Sequence, residues 1–131
     1  MRPSGQVVAA VTAGGFLGAL GRYEVGLAWP ARAGRFPAAT FTINTSGAFV
    51  LGLLLTVILN WFPDSRYLRP FFCVGVLGAW TTMSTLAAET DLLVRGGRPA
   101  IAAGYVAATL VAGVTATVAG ASLARSLAAR P

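Results

Sequence analysis

Residues able to do chemistry are few in this chain, and they are grouped. The densest group is Gly75-Val76-Leu77-Gly78-Ala79-Trp80-Thr81-Thr82-Met83-Ser84-Thr85-Leu86, where two glycines and four hydroxyl residues interrupt a long apolar segment. Such a stretch breaks a helix at little cost and offers carbonyls and hydroxyls to something polar within a bilayer. Gly78 followed by Thr81-Thr82 is the expected opening, near the membrane midplane. It suits a small cation, typically sodium, or a half-helix N-terminus that favours an anion. A bent helix whose threonines bond to the preceding turn is the alternative for the same residues.

Asn44 is the second polar feature. An amide well inside a span must find a partner or face water, because leaving it unpaired in hydrocarbon costs several kcal/mol. It therefore faces a pathway or bonds a neighbouring helix. Tyr105 and Thr109 share a helix face and Gly113 leaves an opening one turn on, a track of hydroxyls with room beside it; the other reading places Tyr105 in an aromatic belt. Arg22 is either a snorkelling terminus or an anion-attracting group at the mouth of a pathway. Glu89, close to a span end, is expected to pair with an arginine near the interface.

The chemistry that is absent narrows the classes further. With no histidine, one cysteine and four carboxylates that are not spaced as a pair, there is no material for a zinc site or a nucleophilic triad. The chain does not read as an enzyme. Cys73 lies in an apolar run and reads as packing.

The elements that must position these residues are four apolar segments, approximately 6–28, 38–60, 70–93 and 99–124. Each is near or above the roughly 20 residues needed to span a bilayer core. The chain is 56% apolar and 11% charged, with a mean hydropathy of +0.71, whereas soluble domains carry about 25% charged residues. One all-α, multi-pass membrane domain over residues 1–131 is expected, its third helix broken near the centre, in the cell membrane. The first segment does not read as a signal peptide, because only Arg2 precedes it, Gly14 and Gly15 interrupt it, and three spans follow. Gly14 with Gly18, and Gly15 with Ala19, form small-residue strips that let helices approach closely.

All ten cations are arginines, giving a net charge of +6. They are scattered over every connection, which fits anionic lipid better than nucleic acid. Arg2, Arg66, Arg69, Arg125 and Arg130 fall on one side, and Arg22, Arg32, Arg35, Arg95 and Arg98 on the other. This balance gives the positive-inside rule nothing to act on. Insertion in both orientations is then open to the chain, which makes an antiparallel dual-topology dimer of identical chains possible. Four spans also enclose a substrate path poorly on their own.

These residues resemble the CrcB/Fluc family of fluoride-selective channels, small four-span proteins that form antiparallel dimers with two pores. Gly14-Gly15 through Arg22-Tyr23 looks like the family's first-span signature. Ala39-Thr40-Phe41 with Asn44, Gly47, Phe49 and Gly52 looks like the second, with Ala39 where glycine is usual. Gly75 and Gly78 through Thr81-Thr82, Ser84-Thr85 and Glu89 looks like the third. The resemblance implies that Asn44 hydrogen-bonds the anion, and that Gly78 and Thr81 cage a structural sodium ion at the dimer centre through their backbone carbonyls. It implies that Thr82, Ser84 and Thr85 lie in or beside the polar lining, that Tyr105 and Thr109 form the fourth-span track, and that Arg22 is the vestibule arginine. Conduction would be passive, exporting cytoplasmic fluoride and lowering its toxicity. Hydroxyl and amide donors suit a small, strongly hydrated anion, since convergent hydrogen bonds must replace its water.

The departure is at Met83 and Leu86, where the family normally has two phenylalanines whose ring edges face fluoride. A thioether or methyl does not supply the positive ring edge. The expectation is therefore a conducting homodimer or, alternatively, a weakly conducting or silent partner subunit that works with a related chain. A small four-span multidrug exporter is a poorer fit, because it would want a carboxylate central in the first span and only Glu24, near its end, is present.

Overall fold

The computed structural model describes residues 4–128; Arg2 and Arg130 of the charge tally lie outside the described residues. The elements are α1 (Gly5–Ala28), α2 (Ala38–Trp61), a π-helix (Arg69–Val76), α3 (Leu77–Trp80), α4 (Met83–Arg95) and α5 (Pro99–Ala128). Together they form an all-α, largely apolar bundle in which the π-helix, α3 and α4 make one long bent helix. Ala38–Trp61, Arg69–Arg95 and Pro99–Ala128 are each long and apolar enough to cross a membrane, so the chain is a multi-pass membrane protein. At 24 residues, about 36 Å, α1 is long enough as well. Gln6, Arg22, Glu24 and its glycines make it less apolar than those three.

The bend has a definite origin. Leu77 N–H donates to the Phe72 carbonyl five residues back, the wide spacing of a π-helix. Thr81 N–H and Thr81 Oγ1 both donate to the Leu77 carbonyl, at 3.0 and 2.9 Å. There the helix stops. Thr81 (φ −74°, ψ 156°) and Thr82 (φ −150°, ψ 115°) are extended, and α4 begins at Met83. The opening expected around Gly78 and Thr81-Thr82 thus falls on the two threonines, with Gly78 still inside α3. Thr82 caps the new helix, its Oγ1 accepting from Thr85 N–H at 3.1 Å; this is the usual service of a threonine at an N-cap. At the far end, Arg98 N–H donates to the Leu93 carbonyl at 2.8 Å and Gly97 N–H to the Val94 carbonyl at 3.1 Å. Gly97 has φ +73°, completing a Schellman stop that glycine accommodates without strain.

Close approach of backbones holds the bundle together. A Cβ on Gly14 would lie 2.3 Å from the Phe71 carbonyl oxygen, and one on Gly18 would lie 2.0 Å from that of Val76. The Gly14/Gly18 strip therefore seats α1 against the π-helix. The Gly15/Ala19 strip is not used in this way among the described residues, where nothing lies within 4 Å of a Cβ on Gly15. Between α2 and α5 the same device recurs: a Cβ on Gly52 would meet the Thr117 carbonyl oxygen at 2.2 Å, and one on Gly120 that of Phe49 at 2.1 Å. Leu86, Leu93, Ala102 and Tyr105 form a buried cluster between α4 and α5, with Phe41 packed on it.

Candidate functional site

The break places a polar centre inside this apolar bundle. Thr82 N–H, which in a continuous helix would bond the Gly78 carbonyl, donates instead to Asn44 Oδ1 at 2.8 Å, and Asn44 Nδ2 donates to the Thr82 carbonyl at 3.0 Å. One amide side chain thus pairs with both polar groups of a residue that the helix has released. Of the two readings of Asn44, the structure shows the bond to a neighbouring segment. The residue also lines a groove of about 440 Å³ with Thr81, Thr82, Met83, Thr109 and Gly113. An amide nitrogen has two N–H donors, so one remains after the Thr82 bond.

Trp80 locks the same junction. Its Nε1–H donates to the Ile43 carbonyl at 2.9 Å, with Ser46 Oγ at 3.2 Å. Its ring is seated by Gly21 and Gly47, where an added Cβ would come within 3.0 and 2.9 Å of it. Arg22 reaches the break from α1, Nη1 donating to the Thr81 carbonyl at 3.2 Å.

A second cavity, of about 270 Å³, lies on the other side of Thr82 and is lined by Arg22, Thr40, Thr85 and Glu89. Glu89 does not pair with an arginine, as expected from sequence. Its Oε1 accepts from Thr40 Oγ1 at 2.9 Å and its Oε2 from Tyr105 OH at 2.7 Å. The only ion pair among the described residues is Arg95 with Asp91, one turn apart on the exposed face of α4. Tyr105 is fully buried, which places it in the core between α4 and α5 with its hydroxyl on Glu89.

The expected site residues therefore divide. Asn44, Thr81, Thr82, Met83 and Thr109 meet at the groove. Arg22 and Thr85 line the second cavity, and Thr82 is common to both. Thr82 Oγ1 donates to Thr85 Oγ1 at 2.9 Å and lies 3.1 Å from Ser84 Oγ, while Ser84 itself is exposed. Met83 and Leu86 part company: Met83 is 69% exposed in the groove wall, whereas Leu86, 7% exposed, sits in the core cluster. Gly78 and Thr81 share a further cavity of about 200 Å³ with Gly47 and Cys73.

Sequence reasoning missed Trp80 as the peg of the junction and the Thr40–Glu89–Tyr105 relay. The available signals were a tryptophan between glycine-bearing helices and a carboxylate on the same helical strip as Leu86 and Leu93. Thr45 carries a further detail. Its Oγ1 is buried and has no hydrogen-bond partner among the described residues. Replacing an unpaired buried hydroxyl by an isosteric methyl removes a desolvation cost of about 1–3 kcal/mol, so Thr45→Val is expected to raise the unfolding midpoint in detergent; a lowered midpoint would show that the hydroxyl is paired.

Helices long enough to cross a membrane, one of them interrupted at a polar junction beside a groove, define a multi-pass membrane protein. Comparison with known proteins narrows this. Residues 9–121 match the profile of the CrcB-like protein, Camphor Resistance (CrcB), family. The chain is 48% identical over 124 residues to fluoride-specific ion channel FluC 3 of Streptomyces avermitilis, covering 95% of this chain and 61% of that protein. It is 46% identical over 104 residues to FluC 2 of the same organism, covering 79% and 66%. It is also 39% identical over 124 residues to the fluoride-specific ion channel FluC of Rhodospirillum centenum, covering 92% and 97%. The chain belongs to the CrcB family. It spans 61% and 66% of the length of its two Streptomyces avermitilis relatives.

Proposed function

We propose that this chain forms a passive, fluoride-selective channel of the cell membrane that exports cytoplasmic fluoride. The observation that carries the reading is the Asn44–Thr82 pair at the wall of a groove that Thr81 and Thr109 also line, their own hydroxyl protons being bonded to the Leu77 and Tyr105 carbonyls. A strongly hydrated anion loses its water only against several convergent donors. The spare Asn44 N–H is fixed in direction by the bonds its amide already makes. In this reading Asn44, Thr82, Ser84, Thr85, Tyr105 and Thr109 belong to or support the anion path, Met83 stands at its narrow part while Leu86 packs in the core cluster, and Arg22 attracts the anion. The printed names of the FluC relatives support fluoride as the ion.

Four spans, α1 included, and an antiparallel dimer complete the proposal. The groove is flanked by exposed Met83, Leu110, Val114 and Val118, apolar surface that a second copy would cover. A structural sodium ion belongs to the same dimer. The donors at Gly78 and Thr81 are neutral, hard carbonyl oxygens of the kind that suits an alkali cation. Thr82 N–H is bonded to Asn44 and so leaves the Gly78 carbonyl free of its helical partner. Arg22 takes one lone pair of the Thr81 carbonyl, and a carbonyl has two. Two carbonyls from one chain would need those of a second to complete a coordination shell.

Met83 supports a second reading, in which the chain is a weak or silent subunit beside a related one, because a thioether at the groove wall lacks an aromatic edge. The two are separated by comparing fluoride efflux from liposomes holding this chain alone or its Met83→Phe variant. Efflux from the unaltered chain supports the homodimeric channel. Silence that Met83→Phe relieves supports the partner subunit. Leu86→Phe is a poor companion variant. It forces a larger ring into the buried cluster beside Tyr105 and is expected to cost about 1–3 kcal/mol, whereas exposed Met83→Phe melts like the parent.

A further inference from the structure

Arg32 and Arg35 are the first and last residues of a tight turn. Arg35 N–H donates to the Arg32 carbonyl at 3.2 Å, and Gly34 in third place has φ +70°, the pattern of a type II turn. Such a turn brings its end residues to within about 7 Å between Cα atoms. Both arginines line a cavity of about 260 Å³ whose other walls include Trp29, Pro30 and Phe36. Arg98, set by the Schellman stop after α4, reaches the same turn, its Nε 3.9 Å from where a Cβ on Gly34 would stand.

None of these three cations has an ion-pair partner among the described residues. The carboxylates on the neighbouring α4 are engaged elsewhere, Glu89 by Thr40 and Tyr105 and Asp91 by Arg95, and Glu24 near the end of α1 pairs with none of them. The opposite end of the bundle is built differently. The cavity there, of about 250 Å³, holds Arg66 and Arg69 together with Asp64, a carboxylate in the same wall.

We propose that the Arg32/Arg35 turn, with Arg98 at its side, is a binding site for the phosphate headgroup of an anionic phospholipid. Planar guanidinium forks match phosphate oxygens in bidentate fashion, and clustered arginines beside a helix end recruit anionic lipid. An acyl chain explains what free phosphate would not. Trp29 and Phe36, in the cavity wall, are 49% and 41% exposed, an apolar shoulder at the level where interfacial aromatics sit.

The test titrates the full-length chain in uncharged detergent with short-chain phosphatidylglycerol, counting bound lipid by native mass spectrometry, with phosphatidylcholine of the same chain length as comparator. The expected result is that Arg32→Gln/Arg35→Gln weakens phosphatidylglycerol binding about tenfold or more, that Arg66→Gln/Arg69→Gln leaves it unchanged, and that phosphatidylcholine distinguishes none of them. Arg32→Lys/Arg35→Lys keeps the charge and loses the fork, so it should fall between. It also carries the test if the glutamine variant fails to keep its helix content. Equal losses in both glutamine variants, binding unchanged at Arg32/Arg35, or displacement of the lipid by excess inorganic phosphate would each overturn the proposal.

Discussion

Replacing Asn44 by Asp is expected to lower fluoride efflux about a thousandfold without unfolding the bundle. The two side chains have nearly the same shape, and a carboxylate still accepts from Thr82 N–H, the 2.8 Å bond. What changes is the other half of the pair. The Thr82 carbonyl, 3.0 Å from the present Nδ2 donor, then faces an oxygen, and the groove gains a negative charge where an anion is proposed to pass. At an effective dielectric of about 20, two like charges about 4 Å apart repel by about 4 kcal/mol, which corresponds to about a thousandfold in a rate or an equilibrium. Asn44→Ala separates this from simple loss of structure. It leaves both Thr82 groups unpaired, costing about 1–3 kcal/mol each, so it should melt early while repelling nothing. Efflux from Asn44→Asp equal to that of the parent would remove Asn44 from the path.

The largest structural effect is expected at the α2–α5 contact. Gly52→Ala and Gly120→Ala each push a methyl onto a carbonyl oxygen of the facing helix, at 2.2 and 2.1 Å, and backbone cannot move aside as a flexible side chain does. Each should cost about 1–3 kcal/mol, and together they consume much of a total stability of about 5–15 kcal/mol. Gly104→Ala is the control. Nothing stands within 4 Å of its added Cβ, and alanine improves an α-helix by up to about 1 kcal/mol over glycine. Unfolding midpoints from tryptophan fluorescence in detergent should fall sharply for the first two and hold or rise for the third. Equal midpoints would show that the helices are not in this contact.

Much of the fold was legible because membrane spans declare themselves by length and composition. The segments read as 38–60 and 99–124 became Ala38–Trp61 and Pro99–Ala128, the last running one turn further through a polar end that hydropathy discounts. The interruption was legible too, since glycine and four hydroxyls in an apolar run leave a helix little reason to continue. Its position at Thr81-Thr82 was not fixed by local preference. It depends on Asn44 taking the Thr82 peptide, a contact between residues 38 positions apart that no periodicity encodes.

The site was less legible for a related reason. Spacing places Met83 and Leu86 almost one turn apart, and that is all it says. Which side faces the groove depends on how α4 restarts after the extended threonines, and the restart turns Met83 outward and Leu86 into the core. Glu89 shows the same limit. Its distance from the span end suggested an arginine, whereas the packing of α4 against α5, with Thr40 at the start of α2 in reach, presents it to Thr40 and Tyr105. The use of Gly14 and Gly18, but not Gly15, for close approach to the π-helix was likewise hidden, because both strips carry the same spacing.

Fluoride efflux from liposomes that contain only this purified chain, with chloride as the comparison ion, tests the central proposal most directly. Rapid fluoride efflux with chloride retained is the predicted result, and it would establish that the chain conducts without a second subunit. Liposomes holding folded, dimeric protein that retain both ions, or release them equally, would contradict it.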